Sequence, residues 1–407
     1  MLCLISAGCG ENKDEPVPEP SPNPINEASV TEIPEEKEEY VIPDITVDTF
    51  DVPDTEGMRF VRELGIGVNL GNTFDSYSDK SLYGLPSELS GETQWVSVET
   101  TQEIIDSYAD AGFTTIRIPV SWHQHVDEQF NISDVWLSRV EEVVNYALNR
   151  DMHVIINIHH DFEEDYIYPS SEYYESSYEY LTKIWSQVSE RFKDYDNRVI
   201  FESMNEPRLV GHPNEWWIQA NADCNDAIKC INDLNQAFVD TVRISGGNNS
   251  ERFIMVPGYD ASVDGACNTG FVIPEDSAED RLIISIHAYT PYDFALSDSD
   301  NYYFTEKQKN CTGEIDSFMD KLYKKFVSKG VPVLIGEFGA RNKKFNTQYR
   351  INFAAYYVAS ARARGMSALW WDNNCFSGTG EQFGLLYRRG NYFVYPEIVE
   401  AMTKYGK

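Results

Sequence analysis

Two short runs could carry acid–base chemistry. In "RVIFESMNEPR", residues 198–208, an apolar strand-like run meets an amide, a carboxylate and a proline. Pro207 bars the strand from continuing and holds the preceding residue extended. Glu206 is therefore expected at a strand's C-terminal tip. "VPVLIGEFG", residues 331–339, brings Glu337 to a similar place. Other polar residues fall at or near the ends of β-rich runs: Asn72, Arg117, His159, His160, Asp161, Asn205, His287, Tyr289 and Asp372, with Trp370 and Trp371 beside the last. Two carboxyls about 5–5.5 Å apart are what retaining glycoside hydrolysis requires. One attacks the anomeric carbon; the other protonates the leaving oxygen and later activates water. Their pKa values must differ, and Arg117 could keep the nucleophile ionised. Taken singly, each residue has a plainer account: a strand-end histidine is commonly structural, and Trp370 could be core. The set is harder to dismiss, because buried carboxylates are costly without partners. No Cys/His cluster has zinc spacing and no GxSxG elbow is present. His159 and His160 are adjacent, so a strand would point them to opposite faces, a poor chelating pair. Neither a metal nor a cofactor is expected.

Such residues can meet only if the fold gathers strand ends. From residue 57 the chain alternates. β-Rich runs cover 65–72, 114–120, 152–161, 198–203, 252–258, 281–289, 331–339 and 366–373. Runs with helical apolar spacing cover 100–113, 135–151, 173–195, 227–247, 312–330, 347–365 and 395–405. Alternation implies parallel strands joined by crossover helices. Eight such units fit a closed (β/α)8 TIM barrel, whose chemistry gathers at the strands' C-terminal ends. The rival is an open doubly wound sheet, but "GVNLGN" lacks GxGxxG spacing.

Charge narrows the partners. The chain has 33 Lys and Arg against 66 Asp and Glu, a formal charge of −33, which argues against nucleic acid or an anionic membrane surface. Residues 1–50 hold 12 acidic residues and 2 lysines, so −10 of that charge lies in an N-terminal arm read as disordered and solvated. A possible short strand lies near "EYVIPDI". The opening "MLCLISAGCGENKDEP" resembles the end of a bacterial lipoprotein signal, with Cys9 as the lipid-bearing residue. The alternative is a plain secreted or mis-started chain. The expected organisation is a signal remnant over 1–9, an acidic Pro-rich linker over 10–50, and a glycoside hydrolase domain over 51–407. The expected location is extracellular or cell-surface, with membrane anchoring through a lipidated Cys9, and the expected state is a monomer. Seven cysteines, an odd number, argue against a full disulfide framework, although Cys224 and Cys230 could form a local bridge.

Seven segments, in order, resemble glycoside hydrolase family 5, the family of many cellulases: "GVNLGNTFD", "TIRIPVSWHQHV", "VIINIHHD", "VIFESMNEPR", "ISIHAYTPYDFA", "VLIGEFGA" and "ALWWDNNCFSGTGEQFGLLYRR". The wording is most similar to the subfamily of endoglucanases, lichenases and xyloglucanases. The resemblance implies Glu206 as general acid/base and Glu337 as nucleophile. It implies Asn205 on the sugar 2-hydroxyl, Arg117 supporting the nucleophile's charge, Tyr289 orienting the nucleophile and His287 the acid/base. His159 and His160 would line the subsites next to the cleavage point, Trp371 would stack beneath the sugar, and Asn72 would bind a neighbouring one. The implied substrate is a β-glucan polysaccharide or oligosaccharide with β-1,4 links. A xyloglucan- or mixed-linkage-specific enzyme and a β-mannanase stay open, as does a non-catalytic glycan-binding protein. One segment departs from the family: "ETQWVSVETT", residues 92–101, replaces the usual "ETxWGNPxTT" near the glycone side. Trp216 and Trp217 could stack leaving-side sugars or simply pack.

Overall fold

The computed structural model describes residues 39–78, 88–378 and 380–407. Cys9, with the lipid anchor and signal expected there, and most of the acidic arm lie outside the described residues. One compact unit runs from Tyr40 to Lys407. Residues 40–50 form no strand, contrary to the expectation for "EYVIPDI". They run as extended chain tied to the unit: Val41 N–H donates to Gln348 Oε1 at 2.9 Å, and the Tyr405 hydroxyl donates to Pro43 O at 2.7 Å. The unit thus begins before the expected boundary at 51.

A helix that alternation did not foretell comes first: α1 (Glu56–Leu64), capped by the Thr55 hydroxyl on Met58 N–H. Then β1 (Ile66–Leu70), α2 (Gln102–Asp110), β2 (Thr115–Ile118), α3 (Asp134–Leu148), β3 (His153–Asn157), α4 (Tyr174–Phe192) and β4 (Val199–Glu202) follow. Next are α5 (Ala222–Ile244) and β5 (Ile254–Pro257), then β6 (Leu282–His287) after an irregular crossover. α6 (Lys309–Lys325), β7 (Val333–Phe338), α7 (Thr347–Ala363), β8 (Ser367–Asp372) and α8 (Pro396–Gly406) complete the set. The eight strands are all parallel in sequence order, and β8 pairs with β1 to close the barrel. α5 starts earlier than its apolar spacing indicates because Asn221 caps it, accepting Cys224 N–H at 2.8 Å. Cys224 and Cys230 are both free and buried on that helix, so the local bridge does not form.

Side-chain parity explains the two cores. Outward-facing strand residues pack on the helices. Inward-facing Ile155, Ile200, Met255, Ile283, Leu334 and Leu369 form a smaller cluster inside the barrel, floored by Phe60, Val61 and Leu64 of α1. That is the work of α1: it seals the barrel's N-terminal mouth with apolar side chains. One step further along the strands the interior turns polar, and there the site begins.

Candidate active site

Arg117 is the hub. It lies in β2, in register with Asn69 of β1, and its side chain is fully buried inside the barrel. Its Nε donates to Glu202 Oε2 and its Nη1 to Glu337 Oε1, both at 2.7 Å. Nη1 also donates to Asn69 Oδ1 at 2.9 Å and Nη2 to Asn205 Oδ1 at 2.7 Å. Burial opposes the guanidinium's charge, but Glu202 and Glu337 outweigh it and raise its pKa. Two buried carboxylates thus share one permanent cation. Ser285 Oγ donates to the other Glu202 oxygen, so Glu202 is spent on structure. Glu337 keeps Oε1 on Arg117 and receives the Tyr289 hydroxyl on Oε2 at 2.9 Å. Burial, then Glu337's charge, push the Tyr289 pKa well up, so the phenol stays a donor.

A register shift delivers Glu337. Leu334 of β7 faces the interior cluster while Ile335 and Phe338 face the helices. Strict alternation would send Glu337 outward with Ile335, and Phe338 inward with Leu334. The β6–β7 and β7–β8 pairings both slip here, opposing His287 to Glu337. Such irregularities re-aim side chains at functional sites. Gly336 packs closely beside it: a Cβ there would sit 3.2 Å from His287 Nε2.

Glu206 lies just past β4, beyond Asn205, whose N–H donates to Ile158 O at 2.8 Å. Its Oε1 is 2.7 Å from His287 Nδ1, and Arg208 Nη1 is 3.7 Å from its Oε2. Oxygens of Glu206 and Glu337 and a ring nitrogen of His287 all lie within 4.8 Å of one another. Burial alone would push the Glu206 carboxyl up. The His287 hydrogen bond and charge, with Arg208 and His160 beyond, outweigh it and hold it down to about 2. Burial likewise opposes charge on His287, but Glu337 and the Glu206 bond raise its pKa above the usual histidine value. The pair's proton therefore rests on His287 Nδ1, one hydrogen bond from Glu206.

The model of the cellulase family, glycosyl hydrolase family 5, matches residues 78–377. The chain belongs to glycosyl hydrolase family 5. It is 40% identical over 353 residues to endoglucanase B of Neocallimastix patriciarum, covering 85% of this chain and 71% of that one. Endoglucanase 1 of Ruminococcus albus is 38% identical over 365 residues, covering 89% and 84%. Among solved structures, a mutant of the family 5 lichenase from Caldicellulosiruptor sp. F32, in complex with cellotetraose, superposes with a TM-score of 0.88 at 50% identity. That likeness covers 90% of this chain and 100% of the lichenase.

In this family 5 enzyme the remaining expected site residues line the other flank of the carboxylate pair. Trp371 faces inward, in register with Asn69, and lies parallel to His159 at 5.6 Å between ring centroids. Trp370 faces outward and donates its indole N–H to Phe383 O, so it belongs to the core. Asn157 fixes His159: its Oδ1 accepts Val120 N–H, which leaves its Nδ2 to donate to His159 Nδ1 at 3.1 Å. Burial, first of all causes, lowers the His159 pKa, so the ring is neutral and its proton sits on Nε2. His160 is lowered to about 4, again by burial first.

His159 and His160 do not diverge as alternation implied. β3 ends at Asn157, and both histidines offer ring nitrogens within 4.8 Å of each other and of an Asp75 oxygen. Asp75 is already occupied by its own turn, where its two oxygens accept Asn72 N–H at 3.0 Å and Thr73 N–H at 2.6 Å. This turn holds Asn72 in the left-handed region, φ 59°, at the mouth of the barrel. Asp161 is structural as well, accepting Trp122 N–H and the Tyr180 hydroxyl. Asp372 anchors the last strand's loop through Leu385 N–H, Leu386 N–H and the Tyr108 hydroxyl.

Sequence reasoning missed Asn69, Glu202, Arg208, Tyr77 and Trp95. Glu202 did carry a signal, being a carboxylate inside an otherwise apolar strand. Tyr77 and Trp95 bracket His160, with ring centroids 5.4 and 5.8 Å away. Trp95 belongs to the segment that departs from the family wording, so that departure touches the wall of the site.

Proposed function

We propose that this family 5 enzyme is a retaining, endo-acting β-1,4-glucanase in which Glu337 is the nucleophile and Glu206 the acid/base. One observation carries the reading: the two carboxylates approach within 4.8 Å at their oxygens. Retaining enzymes need about 5–5.5 Å between carboxyls, whereas inverting ones leave about 6.5–9.5 Å for a water. Electrostatics divides the roles. Glu337 is held by a permanent cation, Arg117, and by the Tyr289 hydroxyl, partners that suit a carboxylate nucleophile. Glu206 shares a hydrogen bond with a protonated imidazole, as an acid requires.

In the first step Glu337 attacks the anomeric carbon and forms a glycosyl ester. The proton on His287 Nδ1 passes through Glu206 to the departing oxygen, which leaves Glu206 ionised and His287 neutral. In the second step Glu206 takes a proton from water, which attacks the same carbon and frees Glu337. Asn205 gives its Oδ1 to Arg117, so its Nδ2 is left to donate to the sugar 2-hydroxyl. Trp371 offers an aromatic floor, and His159 Nε2–H a donor beside it.

A cello-oligosaccharide backbone is the substrate in keeping with the named endoglucanases. The lichenase at 50% identity favours a second reading, with mixed-linkage β-glucan as the preferred polymer. The test is reducing-sugar release from carboxymethyl cellulose, mixed-linkage β-glucan, xyloglucan and mannan by the wild type and by Glu337→Gln. Release that disappears in the variant is expected, strongest on the first two polymers. A folded wild type that leaves all four intact refutes the proposal.

A further inference from the structure

One buried acid beside the site takes no step in the reaction. Asp260 lies in the loop after β5, its side chain 13% exposed, with Oδ1 4.0 Å from Arg208 Nε. That oxygen is buried and accepts no hydrogen bond among the described residues. A buried carboxyl oxygen without a donor is costly, so something in the fold must compensate for keeping it there.

The backbone at this point is strained as well. Asp260 has φ 56° and Ala261 φ 44°, two successive non-glycine residues in the left-handed region. Such strain gathers at functional sites, where the surroundings enforce it. Here the surroundings are the acid/base segment. Asp260 N–H donates to Pro207 O at 2.9 Å, and Leu209 N–H donates to the Tyr259 hydroxyl at 3.2 Å. That hydroxyl donates in turn to Asn214 O at 2.8 Å. The β5 loop thus grips the chain just past Glu206, and the grip aims a carboxyl at the cation beside Glu206.

Three carboxyls face that one cation. Arg208 Nη1 donates to Glu206 O at 3.0 Å and stands 3.7 Å from Glu206 Oε2, while Nε donates to Glu215 Oε1 at 3.2 Å. Trp216 and Phe162 flank the guanidinium, 4.1 and 5.4 Å from their ring centres, so it stays in place and its single charge is shared. Glu206 also has His287 Nδ1, and Glu215 also accepts Gly211 N–H at 2.9 Å. Asp260 has no comparable donor on its buried oxygen. It is therefore the acid of the three that keeps its proton. Burial, then the charge of Glu206, push its carboxyl up to about 9, with Arg208 opposing and Glu215 and Glu337 adding.

Resting on the assignment of Glu206 as acid/base, we propose that Asp260 is a positioning residue that contests Arg208 with Glu206 and so sets how firmly the acid/base pair holds its proton. The groups that face Asp260 are Glu206, Arg208 and Glu215 from the β4 loop and Glu337 from β7, and His287 of β6 joins them through Glu206. When Asp260 ionises, it adds an anion beside Arg208 and divides the guanidinium's charge further. Both changes favour the protonated form of the Glu206–His287 pair. The proton lost from Asp260 thereby keeps the pair's proton in place, which extends the enzyme's reach toward alkaline pH.

The test uses the full chain and two readouts. Asp260→Asn keeps the shape and tolerates the left-handed backbone, but it cannot ionise. Its kcat/KM on mixed-linkage β-glucan should lose about threefold more on the alkaline limb than at its optimum, a displacement of about half a pH unit toward acid. Asp260→Gly accepts the same φ and lacks the carboxyl, so it should show the same displacement and decides the matter if the first variant folds poorly. A lowered melting temperature with an unmoved limb marks a merely structural residue and overturns the proposal, as does a limb displaced toward alkali. Coupling between two protonation sites is reciprocal, which supplies the second readout. Infrared spectra, each taken as a difference against the matching Asp260→Asn protein, report the protonated carboxyl of Asp260. In Glu206→Gln the rival carboxylate is gone and Arg208 is left to Asp260, so the band should vanish at a lower pH than in the wild type. A wild type without the band at neutral pH, or an unchanged midpoint in Glu206→Gln, overturns the proposal. A wild type that hydrolyses no β-glucan refutes the hydrolase reading instead, and the infrared titration still decides whether Asp260 and Glu206 share Arg208.

Discussion

Replacing Arg117 separates stability from catalysis. Its guanidinium and Glu202 both have fully buried side chains, and Glu337 is only 7% exposed. Arg117→Met removes the one cation between the two carboxylates. Stranding a buried charge in this way costs about 3–5 kcal/mol. Asn69 Oδ1 and Asn205 Oδ1 lose their donor too, so the upper end applies. A second change, Glu202→Met, removes the stranded carboxylate. It also leaves the Ser285 hydroxyl without its acceptor, which costs about 1–3 kcal/mol. The double variant should therefore regain part, not all, of the lost stability. Activity should not return in either, because Glu337 still lacks the contact at 2.7 Å. Without it the carboxylate loses both its counter-charge and its orientation. A loss of about a hundredfold in kcat, ~2.7 kcal/mol of barrier, is expected in both variants. Urea unfolding at constant m-value measures the stabilities, and mixed-linkage β-glucan hydrolysis measures the rates. An Arg117→Met variant within ~1 kcal/mol of wild type would refute the buried-hub argument. So would a double variant no more stable than the single one.

The Glu206–His287 pair sets an alkaline limit. Its proton rests on His287, whose raised pKa means that rate falls only as pH climbs past the usual histidine range. In His287→Asn that proton must sit on Glu206, so the alkaline limb of kcat/KM should move toward acid. A limb that does not move contradicts the shared proton. Glu206→Ala should slow cellohexaose, with its poor leaving group, at least about a hundredfold more than an activated aryl cellobioside. Equal losses on the two substrates would count against the acid role.

Much of this site was legible because strand tips in a parallel barrel share one face. Asn205–Glu206–Pro207 and Glu337 announce themselves as polar breaks after apolar runs. Trp371 could be separated from Trp370 only by parity, which fixes which side of β8 each indole occupies. Glu202 stayed hidden because one carboxylate in an apolar strand reads alike whether it faces helices or the barrel. Only register with its neighbours reveals Arg117 as its partner. Alternation failed for His159 and His160 because β3 stops before them, and for Glu337 because the register slips between β6 and β7. α1 escaped notice although it bears a Thr55 cap and apolar Phe60, Val61 and Leu64; it precedes the repeating pattern, and its role exists only once the barrel has a mouth to close.

The central claim is that Glu337 attacks the sugar. The most direct measurement uses a 2-deoxy-2-fluoro β-cellobioside with an activated leaving group, which slows release of the glycosyl ester. Peptide mapping of the inactivated enzyme by mass spectrometry should place one fluorocellobiosyl group on the peptide carrying Glu337. No such adduct should form in Glu337→Gln. An adduct on Glu206, or inactivation that persists in the Glu337→Gln variant, would contradict the account.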